Sequence, residues 1–304
     1  MEKVVVTGAA GLVGQNLMFE LGKYDVLAVD KHEHNLAILK KYHPEVKTLC
    51  VDLSSYGEWE KGFKADYLII LHAHIVDRYS DAFVRDNITA TKNVLRAAKK
   101  HGIKYIVHLS SSVVISTAKD DYTKTKRKQE ELVRRCGIAY TIFRPPLMFG
   151  WFDKKHLGWL SRFMAKTPVY PVPGDGKYIR QPLFVGDMCR IILRTIEMKP
   201  ENKVFNIIGK EKIPYIELMR KIKGIKRLRT IIMPLPIWLF ELLMRVYGLF
   251  FCPPFTPDQL RALVAGDVFP DWDWEKYFNV SHTPIDKAYA ITFKGEYAEV
   301  VCAP

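Results

Sequence analysis

The first half of the chain alternates short apolar runs with amphipathic stretches. A β-branched run covers Lys3–Thr7, positions 15–21 follow at helical spacing, and Asp25–Asp30 returns as a second apolar run ending in an acid. Residues 46–51 read as a third strand, 67–74 as a fully buried one and 104–109 as another, with a helix expected over 86–95 between the last two. Runs this short and this uniformly apolar are strands buried on both faces. Alternating with helices, they predict an α/β fold built on a doubly wound parallel sheet, with a smaller, mostly helical C-terminal lobe.

The loop between the first two strands carries Gly8, Gly11 and Gly14, interleaved with Ala10, Leu12 and Val13. Small residues at these places let a diphosphate approach the free backbone amides at a helix start, where the helix dipole favours an anion. Asp30, closing the second strand, is then placed to accept both hydroxyls of an adenosine ribose and to repel a 2'-phosphate. That predicts NAD(H) over NADP(H), a preference slightly weakened by Lys31. Asp52, followed by Leu53, closes the third strand, where an acid can meet the adenine amino group or cap the following turn. Leu71, His72 and Ala73 lie at the carboxyl end of the buried strand, the edge at which open parallel sheets bind ligands, and the small Ala73 permits close approach. His72 and His74 lack a third partner nearby in sequence, so no metal site is expected.

Proton-transfer chemistry is expected after the 104–109 strand. Ser110, Ser111 and Ser112 stand at its tip, and Tyr122 and Lys126 open the next helix one turn apart on one face. A tyrosine ordinarily loses its proton near pH 10, but a lysine ammonium and a nicotinamide cation beside it would make it a base near neutrality, with Ser112 hydrogen-bonding the same substrate oxygen.

Composition changes this picture little. The 304 residues are 48% hydrophobic and 26% charged, enough for a large core, and the formal net charge of +13 calls for an anionic partner. A nucleotide diphosphate or an acidic membrane surface fits; no nucleic-acid-binding motif accompanies the charge, so nucleic acid is not expected. Five scattered cysteines without metal-ligand spacing, and a start that runs straight into the first strand, predict reduced thiols and a cytoplasmic protein without a signal or transit peptide.

Taken together, the loop from Thr7 to Gly14, Asn87 in its helix, the Ser112, Tyr122 and Lys126 set, and the stretch Arg144-Pro-Pro-Leu-Met-Phe-Gly150 resemble the extended short-chain dehydrogenases/reductases, in particular their nucleotide-sugar epimerase and reductase branch. The resemblance implies a Rossmann NAD-binding domain over residues 1–165 and a substrate lobe over 166–304, with some elements returning to the sheet. It adds Asn87 and Ser110 to the cofactor site, places Pro145 at its nicotinamide end, and implies that Arg180 contacts a substrate diphosphate. Departures matter too. The connection from Ser112 to Tyr122 lacks the longer family loop, and Val113 and Val114 stand where sugar 4,6-dehydratases carry an Asp-Glu pair, so water elimination is disfavoured. The expected activity is NAD-dependent epimerisation of a nucleotide-diphosphate sugar, with a 4-keto-sugar reductase second.

The last third adds a rival. Lys221, Lys223, Lys226, Arg227 and Arg229 precede residues 231–251, which are apolar apart from Glu241 and Arg245 and are broken by Pro234 and Pro236. This run is too interrupted to span a membrane; it reads as a core helix of the small lobe or as an interfacial helix at the inner face of a membrane. A further helix is expected from Pro257, capped by Thr256. The tail also resembles relatives of the Rossmann-type accessory subunit of respiratory complex I, which implies a non-catalytic dinucleotide-binding scaffold as the third reading. A homodimer is compatible with either.

Overall fold

The computed structural model describes residues 1–75, 79–116, 119–250, 257–266 and 272–300. The strands β1 (Lys3–Thr7), β2 (Asp25–Asp30), β3 (Lys47–Cys50), β4 (Tyr67–Ile70), β5 (Tyr105–Leu109) and β6 (Ala139–Arg144) form a parallel sheet with an edge strand at Lys203–Asn206. Their order is the edge strand, β6, β5, β4, β1, β2, β3. The order reverses beside β1, so a crevice opens beyond the carboxyl ends of β1 and β4. All five residues of β5 and all four of β4 are buried, as apolar runs between two helical layers require.

The helices are α1 (Leu12–Leu17), α2 (Glu33–Tyr42), α3 (Ser80–Phe83), α4 (Ala90–Lys100) and α5 (Asp121–Arg134), followed by those of the lobe. Helix Val185–Met198 packs back on α1, with the Cys189 thiol directed at the Val13 carbonyl. Residues 185–206 therefore return to the sheet from beyond the 165/166 division.

Three expected elements differ in detail. The buried strand over 67–74 stops at Ile70: the Leu71 amide still reaches the Thr7 carbonyl at 3.0 Å, and the chain then leaves the sheet to line the crevice. The helix expected over 86–95 is a π-turn, Val84–Thr89, running into α4. A widened turn of this kind costs helical hydrogen bonds and is kept where it aims a side chain, here Asn87. The apolar run after residue 230 begins as a strand, Ile231–Leu235, paired with Val169–Pro173, and continues as helix Ile237–Phe250. The core reading of this helix is overturned. Of its side chains described, Phe240 is buried, whereas Trp238 is 68% exposed. The helix expected from Pro257 is present, and its expected cap, Thr256, lies outside the described residues.

Candidate active site

Gly8 adopts φ +70°, and a Cβ on it would stand 2.5 Å from the His72 amide nitrogen; a Cβ on Gly14 would stand 2.3 Å from the Ala9 carbonyl oxygen. Both positions therefore require glycine. Gly11 differs, since a Cβ there would meet only the Gly8 carbonyl at 3.3 Å and otherwise project into open space. Above this loop lies a cleft of about 530 Å³, within the size range of small-molecule sites. A cradle of this form, with an acid at its far end, fits a dinucleotide.

Of the residues expected to hold the cofactor, Gly8, Ala10, Gly11, Leu12, Val13, Gly14, Asp30, Lys31, Asp52, Leu53, Leu71, His72, Ala73, Ser110, Tyr122 and Lys126 all line this cleft. Asp30 is anchored twice: one carboxylate oxygen accepts the Ala10 amide and the other the His32 amide, each at 3.0 Å. Lys31 is drawn away to the buried Asp86 carboxylate at 2.5 Å. Burial opposes ionisation of Asp86, but hydrogen bonds from Arg85 and Lys31 prevail and hold its carboxyl below the usual range. Asp52 caps a turn by accepting the Ser54 amide at 2.8 Å. Both ring nitrogens of His72 are engaged, Nδ1 with the Thr7 hydroxyl at 2.8 Å and Nε2 with Thr91 at 3.0 Å.

Asn87 and Pro145 act from behind the cleft wall. The Asn87 amide oxygen accepts the His74 backbone N–H at 2.6 Å, while its nitrogen donates to the His74 carbonyl and to the Thr125 hydroxyl. The loop after β4 is thereby clamped to α5. The Pro145 carbonyl accepts the Ser112 amide at 2.9 Å, tying the serine loop to the end of β6.

Helix α5 starts at Asp120, whose side chain accepts the Thr123 amide at 2.9 Å. Tyr122 and Lys126 then face the foot of the cleft together. Desolvation pushes the Tyr122 phenol up to about 12, opposed by a hydrogen bond with Ser111. Ser111 is thus a serine in contact with Tyr122, while Ser112, expected to bond the substrate oxygen, is not among the residues lining the cleft. Lys126 is 1% exposed, and burial brings its ammonium down to about 7. It donates to the Leu109 carbonyl at 3.0 Å and to Gln129 Oε1 at 2.7 Å. Next along, Glu130 receives Arg144 at 2.8 and 2.6 Å, fixing α5 to the end of β6.

Arg180 is not brought to this cleft. It is buried on the short strand Ile179–Arg180, where its Nη1 donates to the Leu263 carbonyl at 3.2 Å. Sequence reasoning missed the loop 153–156, which closes the cleft beside Asp30 with Lys154 and Lys155. Burial, with repulsion from Lys154 and Lys31, lowers the Lys155 ammonium. The basic pair after Gly150 was the available signal.

A family model described as "NAD dependent epimerase/dehydratase family" matches residues 4–207. The N-acetyl-alpha-D-glucosaminyl-diphospho-ditrans,octacis-undecaprenol 4-epimerase of Escherichia coli O157:H7 is 23% identical over 278 residues, covering 81% of each chain. NADH dehydrogenase (ubiquinone) 1 alpha subcomplex subunit 9, mitochondrial, of Mus musculus is 26% identical over 214 residues, which cover 68% of this chain and 55% of that protein. Among solved structures, the Bordetella bronchiseptica enzyme WbmH in complex with NAD+ superposes with a TM-score of 0.80 at 15% identity, over 99% of this chain and 100% of that one, a likeness of fold.

Proposed function

The chain belongs to the NAD dependent epimerase/dehydratase family, and from that premise we propose that it epimerises a sugar carried on a nucleotide diphosphate by oxidising and re-reducing one carbon. The reading is carried by one observation: Tyr122 and Lys126, one turn apart on α5, stand in the same cleft as the glycine loop. Bound NAD+ would supply the acceptor for the hydride leaving that carbon, and NADH would return it to the other face.

The protein's own part is proton handling and placement. Tyr122 takes the hydroxyl proton as the C–H bond gives up its hydride, and returns the proton when the carbonyl is reduced. Burial favours the protonated phenol, so it acts as a base where positive charge stands beside it. A nicotinamide cation would be such a charge, and Lys126, held by the Leu109 carbonyl and Gln129, would add a second if ligand binding turned its ammonium toward the phenol. Asp30 accepts ribose hydroxyls, and its double anchoring keeps the carboxylate in place. The diphosphate-linked substrate in the name of the Escherichia coli relative supports a sugar diphosphate as the substrate class. Arg180 would reach that diphosphate only if its contact with Leu263 gave way. A 4-keto-sugar reductase would use the same residues and release its cofactor after each turnover.

The test is to incubate the purified protein with NAD+ and a panel of nucleotide sugars, and separately with NADH and nucleotide keto-sugars, following sugar stereochemistry by NMR and NADH by absorbance. Interconversion of two epimers without net NADH supports the epimerase; stoichiometric consumption of NADH with a keto-sugar supports the reductase. Tight NAD binding with no sugar converted overturns both in favour of the non-catalytic scaffold.

A further inference from the structure

We propose that helix Ile237–Phe250, with the strand that leads into it, is a docking face for an anionic lipid bilayer. The proposal stands apart from the chemistry of the cleft. Trp238 is 68% exposed, Leu242 50% and Val246 49%, and at helical periodicity these three form one stripe. Leu243 lies beside them at 46% exposure. On the adjoining strand, Ile231 and Met233 also face solvent, 62% and 41% exposed, while Thr230 between Arg229 and Ile231 is buried. Exposed apolar residues that recur along a strand and the helix it leads into differ from the single scattered ones of an ordinary monomer, and point to a binding face.

The charges around it choose the occupant. Glu241 and Arg245 are the charged residues between 231 and 250. Arg245 is exposed and falls at the edge of the Trp238 stripe, and Arg227 and Arg229 are exposed where the chain enters the strand. Of the other three members of the basic cluster, Lys223 is half-buried, Lys221 pairs with Asp286 at 2.5 Å and Lys226 with Glu299 at 3.5 Å. What remains is an apolar face with an amphipathic tryptophan and an arginine margin, the pattern of a helix lying in the headgroup region of acidic lipid. Fourteen residues make a helix of about 21 Å, short of the roughly 30 Å hydrocarbon core, so it lies along the surface. Consistently, no helix among the described residues is long and apolar enough to cross a membrane.

Cosedimentation of the full chain with phosphatidylcholine vesicles, with and without phosphatidylglycerol, tests this. The expected result is binding to the anionic vesicles that weakens as salt is added, falls at least about ten-fold for Arg227→Glu/Arg229→Glu, and is lost for Trp238→Ser/Leu242→Ser. Retained NAD affinity in both variants shows that they still fold. Quenching of tryptophan fluorescence by brominated lipid, absent in Trp238→Phe, places the helix in the bilayer. Binding that does not distinguish the two vesicles, or that neither pair of substitutions weakens, overturns the proposal. So does self-association in light scattering that Trp238→Ser/Leu242→Ser abolishes without any vesicle binding, which would assign the face to a second copy of the chain.

Discussion

Gln129 Oε1 accepts the Lys126 ammonium at 2.7 Å, one turn further along the same helix, while its nitrogen reaches the Thr91 hydroxyl at 2.8 Å. A buried ammonium keeps its charge only as far as its acceptors allow. Gln129→Leu removes one acceptor and should move the pH limb governed by Lys126 to lower pH, lowering kcat about ten-fold with little change in NAD affinity. Gln129→Glu places a carboxylate there and should move the limb to higher pH. Two unchanged pH profiles would show that the contact only fills space.

Asp30 should set the cofactor preference through its charge, and its two amide contacts separate charge from scaffolding. Asp30→Asn keeps an acceptor for the loop and removes the negative charge, so the ratio of NADP(H) to NAD(H) dissociation constants should fall by about ten-fold or more. Asp30→Ala should weaken both cofactors, because the Ala10 amide also loses its partner. Calorimetric titration of both dinucleotides decides it, and an unchanged ratio in the Asn variant rules the charge out as the discriminator.

Tyr122→Phe should lower turnover by about a hundred- to ten-thousand-fold while NAD affinity stays within a few-fold, since only the proton-transfer group is lost. The contact between Ser111 and Tyr122 adds a finer expectation. Ser111→Ala should raise the apparent pKa of the basic group in the kcat profile, whereas Ser112→Ala should not. The opposite assignment would mean that substrate binding reorients the serine loop, whose Ser112 amide is tied to Pro145.

The sheet was legible because its strands are short apolar runs between helical ones, and the cofactor loop because glycine spacing there answers to steric needs: Gly8 and Gly14 are packed against backbone. Long-range pairing was not legible. Nothing local to Asn87 announces that a π-turn aims it at the His74 backbone, and nothing local to Arg180 announces that the Leu263 carbonyl receives it. The helix over 237–250 misled for a physical reason as well. An apolar helix buried in a core and one exposed on a surface carry the same residues, and only the absence of a partner layer distinguishes them.

Lys126 should leave a signature in the stability of the cofactor-free protein. A lysine ordinarily titrates near 10.5, and this one is brought down to about 7 by burial. Between those values the unfolded chain holds a proton that the folded chain has released, so stability rises with pH across the window. Below about 7 both states are charged and the penalty for burying the ammonium is complete. Lys126→Met removes this dependence. It also strands the Leu109 carbonyl and Gln129 Oε1, but that cost is independent of pH. The advantage of the Met variant over the wild type should therefore be largest, and level, at and below about pH 7, and shrink as pH rises toward about 10. Tyr122 acts in the opposite sense only above about 10, where an unfolded tyrosine ionises while the folded phenol, held up near 12, does not. Urea denaturation of both proteins across this range measures the difference, and parallel curves would mean that Lys126 keeps its charge in the fold.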